Sequence, residues 1–385
     1  MSKFVLLGLD GATFEMLGPM VDTGRLPVLQ RLVEQGASGT LTSTVPPYTC
    51  PAWPTMFTGR NPGAHGVTSF HLLEPDTVES RAATLRDVAA PRLWQTLNSA
   101  GVRTGIFNVP MTYPAEPVDG FMVSGFVAPP GAPHAVQPQP LAEAFAEAFP
   151  DYDVNGPELG GRIYTRVEDY RALMHALRDT LEQRQAALEW LLEREPVDFL
   201  YVVLETLDRI SHPAYGFLAP GAPTYESPLG AAVREEVLKV LEVQDRVMGR
   251  ILELMGPDPA VMIVSDHGFC HPRKHFDLRS CLLDHGLMAA GGRLSFRGRL
   301  KPLARSLVTR TLGFGAWKWM SRFLRHTLGV QSQETPRIER WKASGKGLWD
   351  WSRSKTWFGP QMEYGIRVNT AGRMPESPVA PEARE

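Results

Sequence analysis

Asp10, Asp208, His212, Asp266 and His267 are residue types that hold divalent cations, and each lies just beyond an apolar run. Asp10 closes Phe4–Leu9, Asp208 and His212 follow Phe199–Leu204, and Asp266 and His267 follow residues 260–265. In a parallel α/β sheet, ligands collect beyond the carboxyl ends of the strands. Three carboxylates and two imidazoles meeting there would suit a pair of zinc or manganese ions. Taken singly, each residue has a plainer reading. An Asp at a strand end commonly caps the next helix, and a lone His in a loop is commonly a solvated polar group. Five such residues in order, each set after a strand, argue against coincidence. The Asp-x-x-x-His spacing of 208 and 212 puts both side chains on one face if a helical turn begins there.

A cation pair needs a nucleophile, and Thr49 stands where one would be useful. It precedes Pro51 and the start of an expected helix, where unpaired backbone N–H groups favour anions. A bound metal lowers the pKa of a coordinated hydroxyl, as it takes water from ~15.7 toward ~7. Cys50 is the rival nucleophile, since a thiol is the better one in isolation.

The elements that must carry these residues alternate. Strands are expected over residues 3–9, 40–44, 104–108, 120–124, 199–204 and 260–265, with helices over 27–35, 52–58, 92–100 and 235–255. Such alternation predicts an α/β fold with a doubly wound, mostly parallel sheet. Residues 1–139 read as the first part of this core and 197–285 as the second. Residues 140–196 contain two polar-faced helices without a strand and are expected as a helical cap insertion. Residues 213–228, rich in Gly and Pro, read as an ordered connection. A basic helical insertion is expected over 286–345 and a C-terminal segment over 346–385.

Composition narrows the class. The 385 residues, 43% hydrophobic, suffice for one large domain with insertions or for two domains, and a net charge of −2 exerts no general pull on nucleic acid. Three Cys are too few for a disulfide framework. No apolar run reaches the roughly 18 residues of a membrane span. Asp10 interrupts the first run, so no signal peptide is read and a reduced, cytoplasmic setting is expected. From Leu287 to Gln333 there is no Asp or Glu, but nine Lys and Arg between Arg293 and Arg325, with Trp317, Trp319, Met320 and Phe323 among them. Beside a solvated helical excursion, residues 293–325 could serve as a phosphate groove or a peripheral membrane contact.

The motifs together resemble the alkaline phosphatase superfamily, in particular its type I phosphodiesterase / nucleotide pyrophosphatase branch and related predicted phosphohydrolase/phosphomutase proteins. The residues that carry the resemblance are Leu9-Asp10-Gly11, the run from Thr49 through Pro51 and Trp53 to Thr58-Gly59, Pro62-Gly63-Ala64-His65-Gly66-Val67, Asn108 through Pro114, Asp208 with His212, and Ser265-Asp266-His267-Gly268-Phe269. They run over essentially the whole chain. In the family a Thr stands nine residues before a Thr-Gly pair, which selects Thr49 over Cys50. Related sulfatases use a Cys or Ser at that position with an Arg that is absent here.

The resemblance implies an alkaline phosphatase-like fold and two metals, commonly zinc. One would be held by Asp10, Asp266 and His267 with Thr49, the other by Asp208, His212 and a third His. It further implies a covalent phosphothreonine and a small, phosphorylated, nucleotide-like substrate. Two departures stand out. The family's third His lies far downstream, where relatives continue beyond the end of this sequence, so the chain reads as lacking that C-terminal segment; His271 and His275 are nearby imidazoles without an argument for reaching the metal. The family's phosphoryl-binding Asn is replaced by Phe70, and Asn108 is the candidate substitute. His65 is expected as part of a packed turn. The same site would also serve a phosphomutase or phosphotransferase, and an incomplete second metal site would leave a protein that binds a phosphorylated ligand or a partner.

Overall fold

A computed structural model describes residues 3–73, 80–129, 132, 134–157, 164–271, 276–289, 350–357, 366–371 and 378–380. The basic stretch 293–325 lies outside them, as does His275. The described strands are β1 (Phe4–Leu9), β2 (His71–Leu73), β3 (Ser80–Ala82), β4 (Thr104–Val109), β5 (Gly120–Ser124), β6 (Val136–Gln137), β7 (Phe199–Leu204), β8 (Ala260–Val264), β9 (Thr356–Trp357) and β10 (Arg367–Val368). The helices that matter below are α1 (Phe14–Val21), α2 (Pro27–Gln35), α3 (Thr49–Thr58), α4 (Pro62–His65), α5 (Leu93–Ser99), α6 (Gln139–Ala148), α7 (Val167–Arg194), α8 (Thr206–Leu218), α9 (Pro228–Met255) and α10 (Leu278–Asp284).

The chain divides into two compact units, one of residues 1–70 and 82–273, the other of 71–81 and 274–385. The first holds a six-stranded sheet in the order β6-β5-β4-β7-β1-β8. Its strands are parallel except β6, which runs antiparallel to β5. This is the mostly parallel α/β architecture expected from the alternation of elements. β7, buried at every position, is the β-branched and aromatic run that a central parallel strand requires.

The pleat sends alternate side chains to opposite faces. Val5, Leu7 and Leu9 of β1 join Leu200, Val202 and Leu204 of β7 in one continuous core with α1, α2, α7, α8 and α9. On the other face Trp53 of α3 lies over β1, and only glycine fits beneath it: a Cβ on Gly8 would meet the indole at 2.5 Å. Residues 140–196, expected as an inserted cap, supply α6 and α7. The α7 stripe Leu173, Leu177, Leu181, Leu188 and Leu191 belongs to the same core as β1 and β7. The polar face that suggested a cap is the solvent side of a core helix.

Two expectations from sequence fail. Residues 40–44 form no strand, and Thr40, Leu41 and Thr42 are exposed; a Thr-rich run with no apolar face has nothing to bury in a sheet. The connection expected over 213–228 begins later, because α8 runs through Pro213 to Leu218.

A buried carboxylate ties two helices together. Asp245 of α9 accepts from the backbone N–H groups of Val28 and Leu29 at 2.9 and 2.8 Å. These are unpaired donors at the start of α2, whose first position is Pro27.

The second unit holds two small two-stranded sheets, β2 with β3 and β9 with β10. In it Asn369 donates to the carbonyls of Trp351 and Ser354. Among the described residues no helix is long and apolar enough to cross a membrane.

Candidate active site

Strand order explains why residues 200 positions apart meet. β1 lies between β7 and β8, with Leu9 level with Leu204 and Gly8 level with Val264. Adjacent strands are roughly 4.8 Å apart, so the residues that follow β7, β1 and β8 emerge within about 10 Å of one another. Asp10 leaves the middle strand. Asp266 and His267 leave one flank. α8 starts directly after β7 on the other flank and places Asp208 in its first turn, with His212 one turn later.

Asp10, Asp208 and His267 offer ligand atoms that all lie within 4.8 Å of one another. His267 Nε2 is the hub: it stands 3.5 Å from Asp10 Oδ1, 3.3 Å from Asp266 Oδ2 and 3.9 Å from Asp208 Oδ1. Thr49 Oγ1 lies 3.1 Å from the same nitrogen. Thr49 is the first residue of α3, so its backbone N–H and that of Cys50 have no intrahelical acceptor. Asp208 Oδ2 is 3.4 Å from His212 Nε2 on the shared helix face. Asp10, Asp266 and Thr49 are buried, whereas the His212 side chain is 46% exposed; solvent reaches the cluster from the α8 side.

Two carboxylate oxygens of the cluster are left without a hydrogen-bond donor. Asp10 Oδ2 accepts from the indole N–H of Trp53 at 2.9 Å, and Asp266 Oδ1 accepts from the backbone N–H of Gly11 at 3.2 Å. The other oxygen of each, Asp10 Oδ1 and Asp266 Oδ2, is buried without a hydrogen-bond partner. Those two oxygens are the ones that face His267. Buried polar atoms are nearly always paired, and two orphaned carboxylate oxygens converging on an imidazole nitrogen fit a divalent metal.

Electrostatics carries the same imprint. Burial, reinforced by the charges of Asp266 and Asp208, holds the Asp10 carboxyl well above the usual carboxylate range. Burial also pushes Asp266 up to about 6, with the Gly11 N–H pulling the other way. His212 is raised by its bond to Asp208. A cation would reverse the carboxylate shifts, because it favours the ionised forms.

The remaining candidates lie as follows. Asn108, with φ 58°, is fully buried and donates from Nδ2 to the carbonyl of Val203 at 2.9 Å; its Oδ1 has no partner. It joins β4 to β7 rather than the Asp-His cluster. Cys50 is fully buried, and burial raises its thiol. His65 is held in its turn, with Nε2 3.0 Å from Thr55 Oγ1 and Nδ1 accepting from the N–H of Val67. His271 is exposed. Among the described residues the one trio of ligands includes neither His212 nor Asp266; Asp266 approaches it through Oδ2, 3.3 Å from His267 Nε2.

Three supports were not legible in advance. Ser265 accepts from the N–H of Ala12 at 2.9 Å and donates to the carbonyl of His267 at 2.8 Å, tying the loops after β1 and β8 together. Ser43 donates to the carbonyl of Asp266. Glu205, the cap of α8, accepts from Arg184 and Arg209 in a buried cluster. A lone polar residue ending an apolar strand was the one sequence signal for the first and third.

The profile of a family described as type I phosphodiesterase / nucleotide pyrophosphatase matches residues 4–327. The chain belongs to that family. Among solved structures, the fold is similar to phosphonoacetate hydrolase from Sinorhizobium meliloti 1021 in complex with phosphonoacetate, at 20% identity and a TM-score of 0.48 over 74% of this chain. It is also similar to the same hydrolase in complex with phosphonoformate, at 20% identity and a TM-score of 0.43 over 81% of this chain. In both, the chain spans 62% of the hydrolase's length. No curated protein matches the sequence.

Proposed function

We propose that this member of the family is a metal-dependent phosphoric ester hydrolase that acts through a covalent phosphothreonine at Thr49. The observation that carries the reading is the pair of orphaned carboxylate oxygens facing His267, with the Thr49 hydroxyl 3.1 Å from that imidazole. Asp10, Asp266 and His267 with Thr49 would hold one divalent cation, and Asp208 and His212 would supply ligands to a second. Zinc or manganese suits such donors, and bound there would neutralise phosphoryl charge and make the Thr49 hydroxyl more acidic.

The chain's own residues do the rest. The N–H groups of Thr49 and Cys50 at the start of α3 favour a phosphoryl oxygen. Thr49 Oγ1 forms a bond to phosphorus as the P–O bond to the leaving alcohol breaks; the threonine proton passes to solvent and the departing oxygen takes one up. Water then attacks phosphorus, the Thr49 O–P bond breaks, and Thr49 regains a proton, so one water is consumed per ester cleaved. The family description favours small phosphodiesters and nucleotide-like pyrophosphates as substrates.

The test is hydrolysis of p-nitrophenyl phosphate and bis-p-nitrophenyl phosphate with zinc or manganese present. Thr49→Ala should abolish turnover while fold and metal content persist. Undiminished turnover in that variant refutes the nucleophile.

A further inference from the structure

Trp53 is fully buried in α3, four residues after Thr49. One edge of its ring covers Gly8, and its face tilts against Tyr201 with centroids 6.2 Å apart. Its one polar atom is not idle. Nε1 donates to Asp10 Oδ2 across 43 residues of sequence.

A carboxylate without such a partner turns freely and offers either oxygen, or both, to a cation. A donor held rigidly between α3 and β1 removes that choice, because the indole N–H points one way and cannot accept. The oxygen it leaves over is Oδ1, which is buried, without a partner, and 3.5 Å from His267 Nε2. Groups of this kind, bonded to a ligand rather than to the metal, orient ligands and tune affinity. We propose that Trp53 is a positioning residue: its N–H fixes Asp10 so that Oδ1 alone is presented to the metal. This rests on the metal reading given above.

The alternative is that Trp53 only fills the core, and a matched control separates the two. Trp94 is equally buried and donates its N–H to Glu116, away from the carboxylate cluster. Zinc affinity of the whole chain, measured by chelator competition, should fall roughly 10–100-fold in Trp53→Phe and stay within about twofold in Trp94→Phe. Equal affinities of Trp53→Phe and wild type, or equal losses in both variants, overturn the proposal.

If Trp53→Phe does not fold, the wild-type chain still decides. With indole-15N label, one of its nine tryptophan N–H signals should be slow to exchange and should move on zinc saturation; nine unmoved signals overturn the proposal. A wild type that binds no zinc overturns this inference and the proposed function together. Turnover surviving in Thr49→Ala overturns the nucleophile and leaves the role of Trp53 standing.

Discussion

Replacing Asp266 by Asn should remove a pH dependence from the stability of the metal-free chain, of a size the structure sets. Burial raises the Asp266 carboxyl from 3.8 to about 6. The folded chain therefore keeps a proton that the unfolded chain has lost between those two values. Stability falls with rising pH wherever the folded state binds more protons. Relative to the Asn variant, wild type should lose about 1.4 kcal/mol per pH unit across that window, or about 3 kcal/mol in total. Below pH ~3 and above pH ~7 the difference should be flat. Asn can still accept from the Gly11 N–H, so the variant keeps that bond, and losing the Asp266 charge also relieves the upward push on Asp10. The assay is urea unfolding of both proteins in chelator from pH 4 to 8. Saturating zinc should reverse the trend for wild type, because the metal takes only the ionised carboxylate. A wild type that gains stability over Asp266→Asn between pH 4 and 6 in chelator would refute the reasoning.

Four further outcomes are expected. Asp245→Ala strips one buried and one partly buried α2 donor of their acceptor and should cost about 2–4 kcal/mol in urea unfolding; a loss below 1 kcal/mol counts against the cross-helix cap. Gly8→Ala forces a methyl into the Trp53 ring and should destabilise by about 1–3 kcal/mol, read by thermal unfolding; no change would mean the indole is free to shift. In the metal-free chain His212 should titrate above 6.5 by NMR, because Asp208 supports the imidazolium. The stability it contributes is whole below 6.5 and lost as pH rises through the shifted value, and Asp208→Asn should abolish the shift. Cys50→Ser should leave turnover within a few fold, since that buried thiol has its ionisation suppressed; loss of the trapped phosphoenzyme in Cys50→Ser with Thr49 intact would move the nucleophile by one residue.

The site was legible where the physics is local. A parallel strand buried on both faces must be a short apolar run, so β1 and β7 announce themselves, and so does whatever follows them. Asp10, Asp208 and Asp266 were readable for that reason, and the Asp-x-x-x-His face was readable from helix periodicity. Long-range pairings were not. Nothing near Trp53 in sequence points to Asp10, and nothing near Ser265 points to Ala12; the first contact exists because α3 packs over β1, the second because β1 and β8 pair side by side. Residues 213–228 were read as a connection although α8 carries Pro213, since a helix wedged into the core by Leu207, Ile210 and Ala214 offsets one lost hydrogen bond. Residues 40–44 misled in the opposite sense: Thr-rich chain suits a strand by propensity, but propensity yields to burial.

The central claim is that the ends of β1, β7 and β8 form a divalent-metal site beside the Thr49 hydroxyl. Zinc-edge anomalous diffraction from crystals of the zinc-loaded chain tests it directly. The account predicts a peak about 2.0–2.2 Å from Asp10 Oδ1, Asp266 Oδ2 and His267 Nε2, with Thr49 Oγ1 turned toward it. A zinc bound elsewhere, with those oxygens still bare, would contradict it.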